Sequence, residues 1–134
     1  IRAYGGRADM LEKTKERPQY VQDRLRVQVR TTADELRQAA DVIAGRLNQA
    51  RGPWTFLVPT KGWSSLDREG RPIHDPAADA AFVARLRERL DEPARLREVD
   101  LHLYTPEFAR AAVDEFVALF RQAQAPALAV AAQE

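Results

Sequence analysis

Cysteine is absent from the 134-residue sequence. Its absence excludes disulfides, thiolate zinc sites, iron–sulfur clusters and cysteine nucleophiles. No apolar run approaches the ~20 residues that a membrane-spanning helix needs, and no secretory leader is recognisable. We therefore expect a cytoplasmic protein without a membrane partner. Because the first residue is Ile1 rather than Met, we also expect a processed product or a piece of a longer protein.

Net charge is also nearly absent, because the 21 Lys and Arg residues are balanced by 20 Asp and Glu residues, which gives a formal charge of +1. The distribution is uneven, however: residues 1–30 carry eight basic and four acidic side chains. This segment is either a solvated irregular stretch or an anion-binding arm. Tyr4 and Tyr20 lie in it, but no DNA-reading helix or aromatic-basic sheet motif accompanies them, so nucleic acid is not an expected partner.

Apolar residues at helical spacing predict three helices. The first spans about 32–50 and begins with Thr32 and Glu35, the spacing of a capping box. The other two span about 76–90 and 106–122. Each of these begins with proline directly after a capping residue, in the pairs Asp75-Pro76 and Thr105-Pro106.

Three strands are predicted at 25–29, 54–58 and 99–103, from alternating or continuous apolar residues. A helix separates each strand from the next, so the strands should run parallel. The expected fold class is α/β: a parallel-sheet, Rossmann-like (doubly wound) half-domain with three α/β/α layers. Three strands are few for a sheet covered on both faces. We therefore expect a partner, either a missing half-domain of the same protein or a second copy of the chain.

The predicted organisation has three parts. Residues 1–23 form a basic irregular lead segment, residues 24–122 form the Rossmann-like α/β domain, and residues 123–134 form an Ala-rich tail. The tail contains Pro126 and is expected either to fray or to act as a short docking segment.

Ligands of open parallel sheets bind outside the carboxyl ends of the strands. The loops that follow the predicted strands meet at that edge, where helix N-termini favour anions. The sequence thus predicts a pocket for a small anionic ligand. Its candidate residues are Arg30, Thr31, Thr32, Lys61, Gly62, Trp63, Ser64, Ser65 and His102.

Simpler roles exist for several of these residues. Thr32 is already explained as a helix cap, a solvated surface charge is the alternative role of Arg30, and covering the sheet edge is the alternative role of Trp63. Neither a P-loop nor a dinucleotide fingerprint occurs in the chain, so the standard phosphate-binding loops are excluded.

Catalytic and metal motifs are weak. The segment from Gly62 to Leu66 resembles a nucleophile elbow but lacks the second glycine and the helix that should follow. His74 with Asp75, and Asp100 with His102, are histidine–carboxylate neighbours without a known metal-ligand spacing. We therefore assign no catalytic residue and predict no metal.

Several short motifs occur together in this order: Gly6-x-x-Asp9-Met10, Arg30-Thr31-Thr32-x-x-Glu35, Arg51-Gly52-Pro53, Pro59-x-Lys61-Gly62-Trp63-Ser64-Ser65-Leu66-Asp67, His74-Asp75-Pro76-x-Ala78-Asp79, and Val99-Asp100-x-His102 with Pro106-Glu107-Phe108-Ala109. The combination resembles the carboxyl-terminal part of the Tm-one-like ATP-binding family over about residues 5–120. Residues 59–79 are the most specific part. Residues 11–29 depart from the family pattern, because they are highly charged and lack its His-Asn-Pro segment.

The resemblance implies two Rossmann-like halves in one chain, of which this sequence matches the later portion of the second. It also implies ATP as a ligand and homodimers as the assembly, without a firmly attached reaction. The expected function is binding of a nucleotide or other anionic ligand. The alternatives are a non-enzymatic assembly module and an enzyme acting on a phosphorylated or carboxylated metabolite.

Overall fold

The computed structural model describes residues 1–131, with side chains to residue 124. Its strands and α-helices, in chain order, are Arg2–Tyr4 (β1), Gln19–Asp23 (β2), Arg26–Val29 (β3), Ala33–Leu47 (α1), Phe56–Pro59 (β4), Pro76–Arg89 (α2), Leu96–Val99 (β5) and Pro106–Ala131 (α3). The strands form an antiparallel sheet in the order β1-β3-β2 and a parallel pair, β4-β5. The predicted α/β class is confirmed.

The predicted parallel pairing of the first strand with the other two is wrong. β3 occupies the predicted position but pairs antiparallel with β1 and β2. Its partners precede it in the chain, so residues 1–23 contribute two strands to a sheet where an irregular segment was expected. The β2–β3 hairpin is closed locally, because the Asp23 carboxylate accepts the Leu25 N–H at 2.8 Å and pairs with Arg26. A hairpin needs only a short turn, whereas a parallel pairing needs a crossover.

The third strand lies about three residues earlier than predicted. β5 covers Leu96–Val99 and pairs in parallel with β4. After Val99 the chain turns sharply, because the Leu101 N–H bonds to the Val99 carbonyl at 2.8 Å. Backbone hydrogen bonds still continue along the predicted segment, from Lys61 N–H to Leu101 C=O at 3.0 Å and from Leu103 N–H to Gly62 C=O at 3.1 Å.

The predicted helix starts are confirmed. Thr32 and Glu35 form both bonds of a capping box. The Asp75 carboxylate accepts the Ala78 N–H at 3.0 Å, and the Thr105 hydroxyl accepts the Phe108 N–H at 3.2 Å. The ends differ from the prediction: α1 stops at Leu47, while α3 continues to Ala131 through most of the predicted tail. Residues 132–134 of that tail lie outside the described residues.

The main core lies between α1, α2 and the parallel strands. Leu86 is the largest fully buried side chain of this core. Burying a leucine of this kind stabilises the fold by roughly 2 kcal/mol. A smaller cluster of Met10, Val27 and Val29 supports the antiparallel sheet. Polar contacts join the two parts, including the ion pair between Arg17 and Glu35 at 2.8 Å.

The apolar residues at helical spacing that predict the third helix are Ala109, Ala112, Val113, Phe116, Val117 and Phe120. In the structure none of these six is fully buried: Ala112 and Val117 are half-buried, and the other four are exposed. We call Ala109, Val113, Phe116 and Phe120 the outer face of α3. Of its three large side chains, Val113 is 59% exposed, Phe116 is 67% exposed and Phe120 is 52% exposed. The rings of Phe116 and Phe120 stack on each other at 6.2 Å. Among residues 1–131, no helix is long and apolar enough to cross a membrane.

Candidate functional site

The loops that follow β3, β4 and β5 lie side by side. The β4–α2 loop lies between the other two loops. On one side it contacts the loop after β3, because the guanidinium of Arg30 donates to the carbonyls of Ile73 and Asp75 at 3.2 and 3.1 Å. On its other side, the Gly62 carbonyl accepts the Leu103 N–H. The residues predicted for one pocket are therefore close together in the structure, although β3 belongs to another sheet.

Two hollows flank the β4–α2 loop. The inner cavity has a volume of about 230 Å³ and is lined by residues that include Arg30, Thr31, Trp63, Ser64, Asp67 and Asp79. The outer hollow has a volume of about 500 Å³ and is lined by residues that include Lys61, Arg68, Glu69, His74, His102 and Thr105. The predicted pocket is thus divided into two sites.

Arg30 is the charged centre of the inner cavity and is only 5% exposed. Its guanidinium pairs with Asp67 at 3.2 Å and, by a short hydrogen bond, with Asp79. Both carboxylates are buried as well. A buried cation held by two carboxylates has little charge left for a ligand anion, so Arg30 mainly connects β3 to the β4–α2 loop and to α2.

The two carboxyls differ in pKa because their surroundings differ. Burial raises the pKa of Asp79 to about 6, against the opposing effect of Arg30. Burial also works to raise the pKa of Asp67, but the hydrogen bond from the Trp63 N–H and the charge of Arg30 outweigh it, and the net pKa is lowered. Near neutral pH, Asp67 is therefore a carboxylate.

The raised pKa of Asp79 makes stability depend on pH. Folded Asp79 holds its proton up to about pH 6, whereas an unfolded aspartic acid releases it near pH ~4. The stabilisation from the protonated carboxyl is complete below the unfolded pKa and is lost as pH rises through the folded pKa. We expect Asp79→Asn, which cannot ionise, to gain stability relative to the unsubstituted chain between pH 4.5 and pH 7 in urea titrations. Parallel stability curves for the two proteins would contradict this.

The outer hollow carries cations that are not buried. Lys61 is exposed and its ammonium lies 2.9 Å from the Asp100 carboxylate. Exposed ion pairs of this kind contribute at most about 1 kcal/mol, so the lysine can exchange Asp100 for a ligand. Arg68 is also exposed, and its Nε donates to the Ser65 carbonyl at 3.0 Å.

The two histidines of the chain are fixed in different ways. His102 Nδ1 accepts the Tyr104 N–H at 3.1 Å, so its proton lies on Nε2, which donates to the Ser64 carbonyl at 3.1 Å. His74 Nδ1 lies 3.2 Å from the Asp67 carboxylate and donates to it. In the neutral imidazole of His74 the lone pair is therefore on Nε2.

The remaining predicted residues have structural contacts. The Trp63 indole donates to the Pro59 carbonyl at 2.9 Å and its ring meets Phe82 edge-on at 5.1 Å. Thr32 is occupied in the capping box. Ser64 and Thr31 line the inner cavity, whereas Ser65 is exposed.

Asp67, Asp79, Arg68 and His74 were not among the predicted site residues. Asp79 carried a usable signal, because it shares the helical face of Phe82, Val83 and Leu86, where a carboxylate requires a buried partner. Asp67 and His74 lie in an irregular loop without periodicity. Within the described part of the chain, no group of three or more His, Asp or Glu side chains could hold a metal ion.

A comparison with protein families decides where this architecture belongs. The family described as "Uncharacterised protein family (UPF0261) C-terminal domain" matches residues 2–120. The chain belongs to the UPF0261 family. The match includes every residue named above for the two hollows.

Several UPF0261 relatives are similar to the chain. A UPF0261 protein of Brucella suis biovar 1 is 34% identical over 105 residues, which are 78% of this chain and 25% of that protein. A UPF0261 protein of Rhizobium meliloti is 40% identical over 87 residues, 63% of this chain and 22% of that protein. The ToMV resistance protein Tm-1 of Solanum lycopersicum is 34% identical over 91 residues, 66% of this chain and 12% of that protein.

These matches confirm the resemblance at the level of the UPF0261 family with Tm-1-named relatives. The chain spans about a quarter of the length of the Brucella UPF0261 relatives that it matches. The matched family unit is a C-terminal domain. These relatives therefore contain a large region that this chain does not cover.

Proposed function

We propose that the chain binds a phosphate-bearing ligand, such as a nucleotide, in the outer hollow. The observation that supports this proposal most strongly is that two strands end, and two helices begin, beside the outer hollow. β4 and β5 both end there, through Thr60-Lys61 and the segment to Thr105, and α2 and α3 both begin beside it at Pro76 and Pro106. Helix N-termini and strand carboxyl ends are where phosphate groups bind in α/β proteins.

Charge favours the outer hollow over the inner cavity. An anion in the inner cavity would meet the carboxylates of Asp67 and Asp79, which already neutralise Arg30. In the outer hollow the ammonium of Lys61 and the guanidinium of Arg68 are exposed, and the acidic Glu69 that also lines the hollow is exposed as well. Such groups can rearrange around phosphate without leaving a buried charge unpaired.

An aromatic ring at the rim favours a nucleotide such as ATP among phosphate-bearing ligands. Tyr104 is 69% exposed and its ring centre lies 6.0 Å from that of His102. A nucleobase would stack on this ring while its phosphates reached Lys61. Stacking of a base on an aromatic side chain contributes roughly 1–3 kcal/mol.

Replacing Lys61 with alanine tests the site. We expect Lys61→Ala to weaken the binding of inorganic phosphate and of ATP by about tenfold, which corresponds to ~1.4 kcal/mol. The melting temperature should change little, because the side chain is 59% exposed. Titration calorimetry measures both affinities. Lys13→Ala, at an exposed lysine of the lead segment, is the matched control, and equal affinities for all three proteins would contradict the proposal.

A second candidate function is assembly, which the outer face of α3 favours. Exposed apolar patches of this kind mark interaction surfaces. We propose that this face packs against the region of the longer UPF0261 polypeptide that precedes the C-terminal domain. Two observations support that occupant: the chain covers about a quarter of its Brucella relatives, and within the described residues the parallel sheet has only β4 and β5.

Phe116→Asp tests this second function. In the chain alone we expect little change in melting temperature, because Phe116 is 67% exposed. In a longer polypeptide that includes the preceding region, the same substitution should lower the melting temperature clearly, since it places a charge in an interface. No change in either protein would exclude the interface. If light scattering shows a dimer of the chain that Phe116→Asp converts to monomer, a second copy is the occupant.

A further inference from the structure

A buried carboxylate orients the imidazole of His74 at the wall of the outer hollow. Asp67 is 1% exposed. One of its oxygens accepts the Trp63 N–H at 3.2 Å, while the other lies 3.2 Å from both the Arg30 guanidinium and His74 Nδ1. With its partners fixed, the carboxylate holds both the orientation and the tautomer of the imidazole, as buried carboxylates do for other functional histidines.

The second ring nitrogen of His74 is left for a ligand. Among the described residues, Nε2 of His74 makes no hydrogen bond, and the side chain is 26% exposed on the wall of the hollow. His102, in contrast, uses both ring nitrogens for backbone groups. Of the two imidazoles in the hollow, only that of His74 presents a fixed lone pair.

We propose that the ligand of the outer hollow is a phosphate ester that also carries a free hydroxyl group, and that His74 Nε2 accepts the hydrogen bond of this hydroxyl. The inference rests on the proposed function, because it assigns the phosphate to Lys61 and Arg68. A neutral imidazole lone pair repels a phosphate oxygen and attracts an O–H donor. Phosphate and hydroxyl are thus recognised by separate groups.

Sugar phosphates, glycerol phosphates and nucleotides with a free ribose hydroxyl all belong to this chemical class. Compounds with phosphate alone do not. Buried or oriented polar groups discriminate strongly against a ligand that lacks the matching hydroxyl, because the group is then left without a partner. Glu69 also lines the hollow, but it is exposed, and among the described residues no hydrogen bond or ion pair fixes its carboxylate, so it orients no donor.

Two simple probes that differ by hydroxyl groups test the inference. Calorimetry at pH 8 compares glycerol 1-phosphate with propyl phosphate. We expect the unsubstituted chain to bind glycerol 1-phosphate about tenfold more tightly, and His74→Phe to bind the two compounds equally. Glu69→Gln, the matched change on the same wall, should keep the preference.

Each result has a defined meaning. Equal binding of the two probes by the unsubstituted chain, or a preference that survives in His74→Phe, overturns the inference and leaves the phosphate site standing. Failure of both probes to bind overturns the proposed function together with the inference. If His74→Phe does not fold, nitrogen-15 NMR of the unsubstituted chain decides the matter, since a neutral His74 with its proton on Nε2 contradicts the inference.

Discussion

Gly62→Ala is expected to lower the free energy of unfolding by about 3 kcal/mol or more, combining backbone strain with steric overlap. Gly62 has φ = +116°, a conformation that side-chain-bearing residues rarely adopt. A Cβ at this position would lie 1.8 Å from the Asp67 carbonyl oxygen and 3.0 Å from the His102 ring. The turn from Gly62 to Asp67 within the β4–α2 loop would have to open and move away from His102, so both hollows would change shape.

Two other glycines provide controls for Gly62→Ala. Gly70 also has a positive φ, of 78°, but a Cβ there would meet nothing within 4 Å, so Gly70→Ala should cost only about 1 kcal/mol. Gly45 lies inside α1, also with free space around it. Gly45→Ala should stabilise the chain by roughly 0.5–1 kcal/mol. Thermal and urea unfolding would measure all three. Equal effects at Gly62 and Gly70 would show that the close contact with Asp67 does not exist.

Arg30→Met is expected to destabilise the chain by about 3–5 kcal/mol, because it leaves buried carboxylates without their cation. Asp67 and Asp79 would both lose their ion pair. The carbonyls of Ile73 and Asp75 would lose a donor at the same time. The substitution should also loosen the antiparallel sheet from the rest of the molecule, since Arg30 directly follows β3.

A surface ion pair is the appropriate control for Arg30. Arg37 pairs with Asp34 on α1, and the two side chains are 49% and 85% exposed. Arg37→Met should change stability by less than ~0.5 kcal/mol. If urea unfolding gave the same small change for Arg30→Met, the buried network would not be holding the β4–α2 loop.

The helices could be predicted from the sequence because their signals are local. Thr32 with Glu35, and the pairs Asp75-Pro76 and Thr105-Pro106, fix each helix start within a few residues. Strand pairing is not local. The alternation in 25–29 identifies a half-buried strand but carries no information on which strands lie beside it. β3 therefore had the right position and the wrong partners.

The site could be predicted only in part for the same reason. The rule for strand carboxyl ends brings Lys61 and His102 to one hollow, and the structure places them there. Arg30 was predicted as an open cation. Its two carboxylate partners lie 37 and 49 residues further along the chain, and pairing across such distances leaves no mark in a single sequence.

The central claim is that the outer hollow holds phosphate, and amide chemical shifts in NMR test it most directly. On addition of inorganic phosphate to the unsubstituted chain, we predict shifts concentrated at residues 60–62, 74–78 and 102–108, which surround the outer hollow. Amides around the inner cavity, at Thr31 and Ser64, should move much less. Shifts centred on Thr31 and Ser64, or no shifts at millimolar phosphate, would contradict the account.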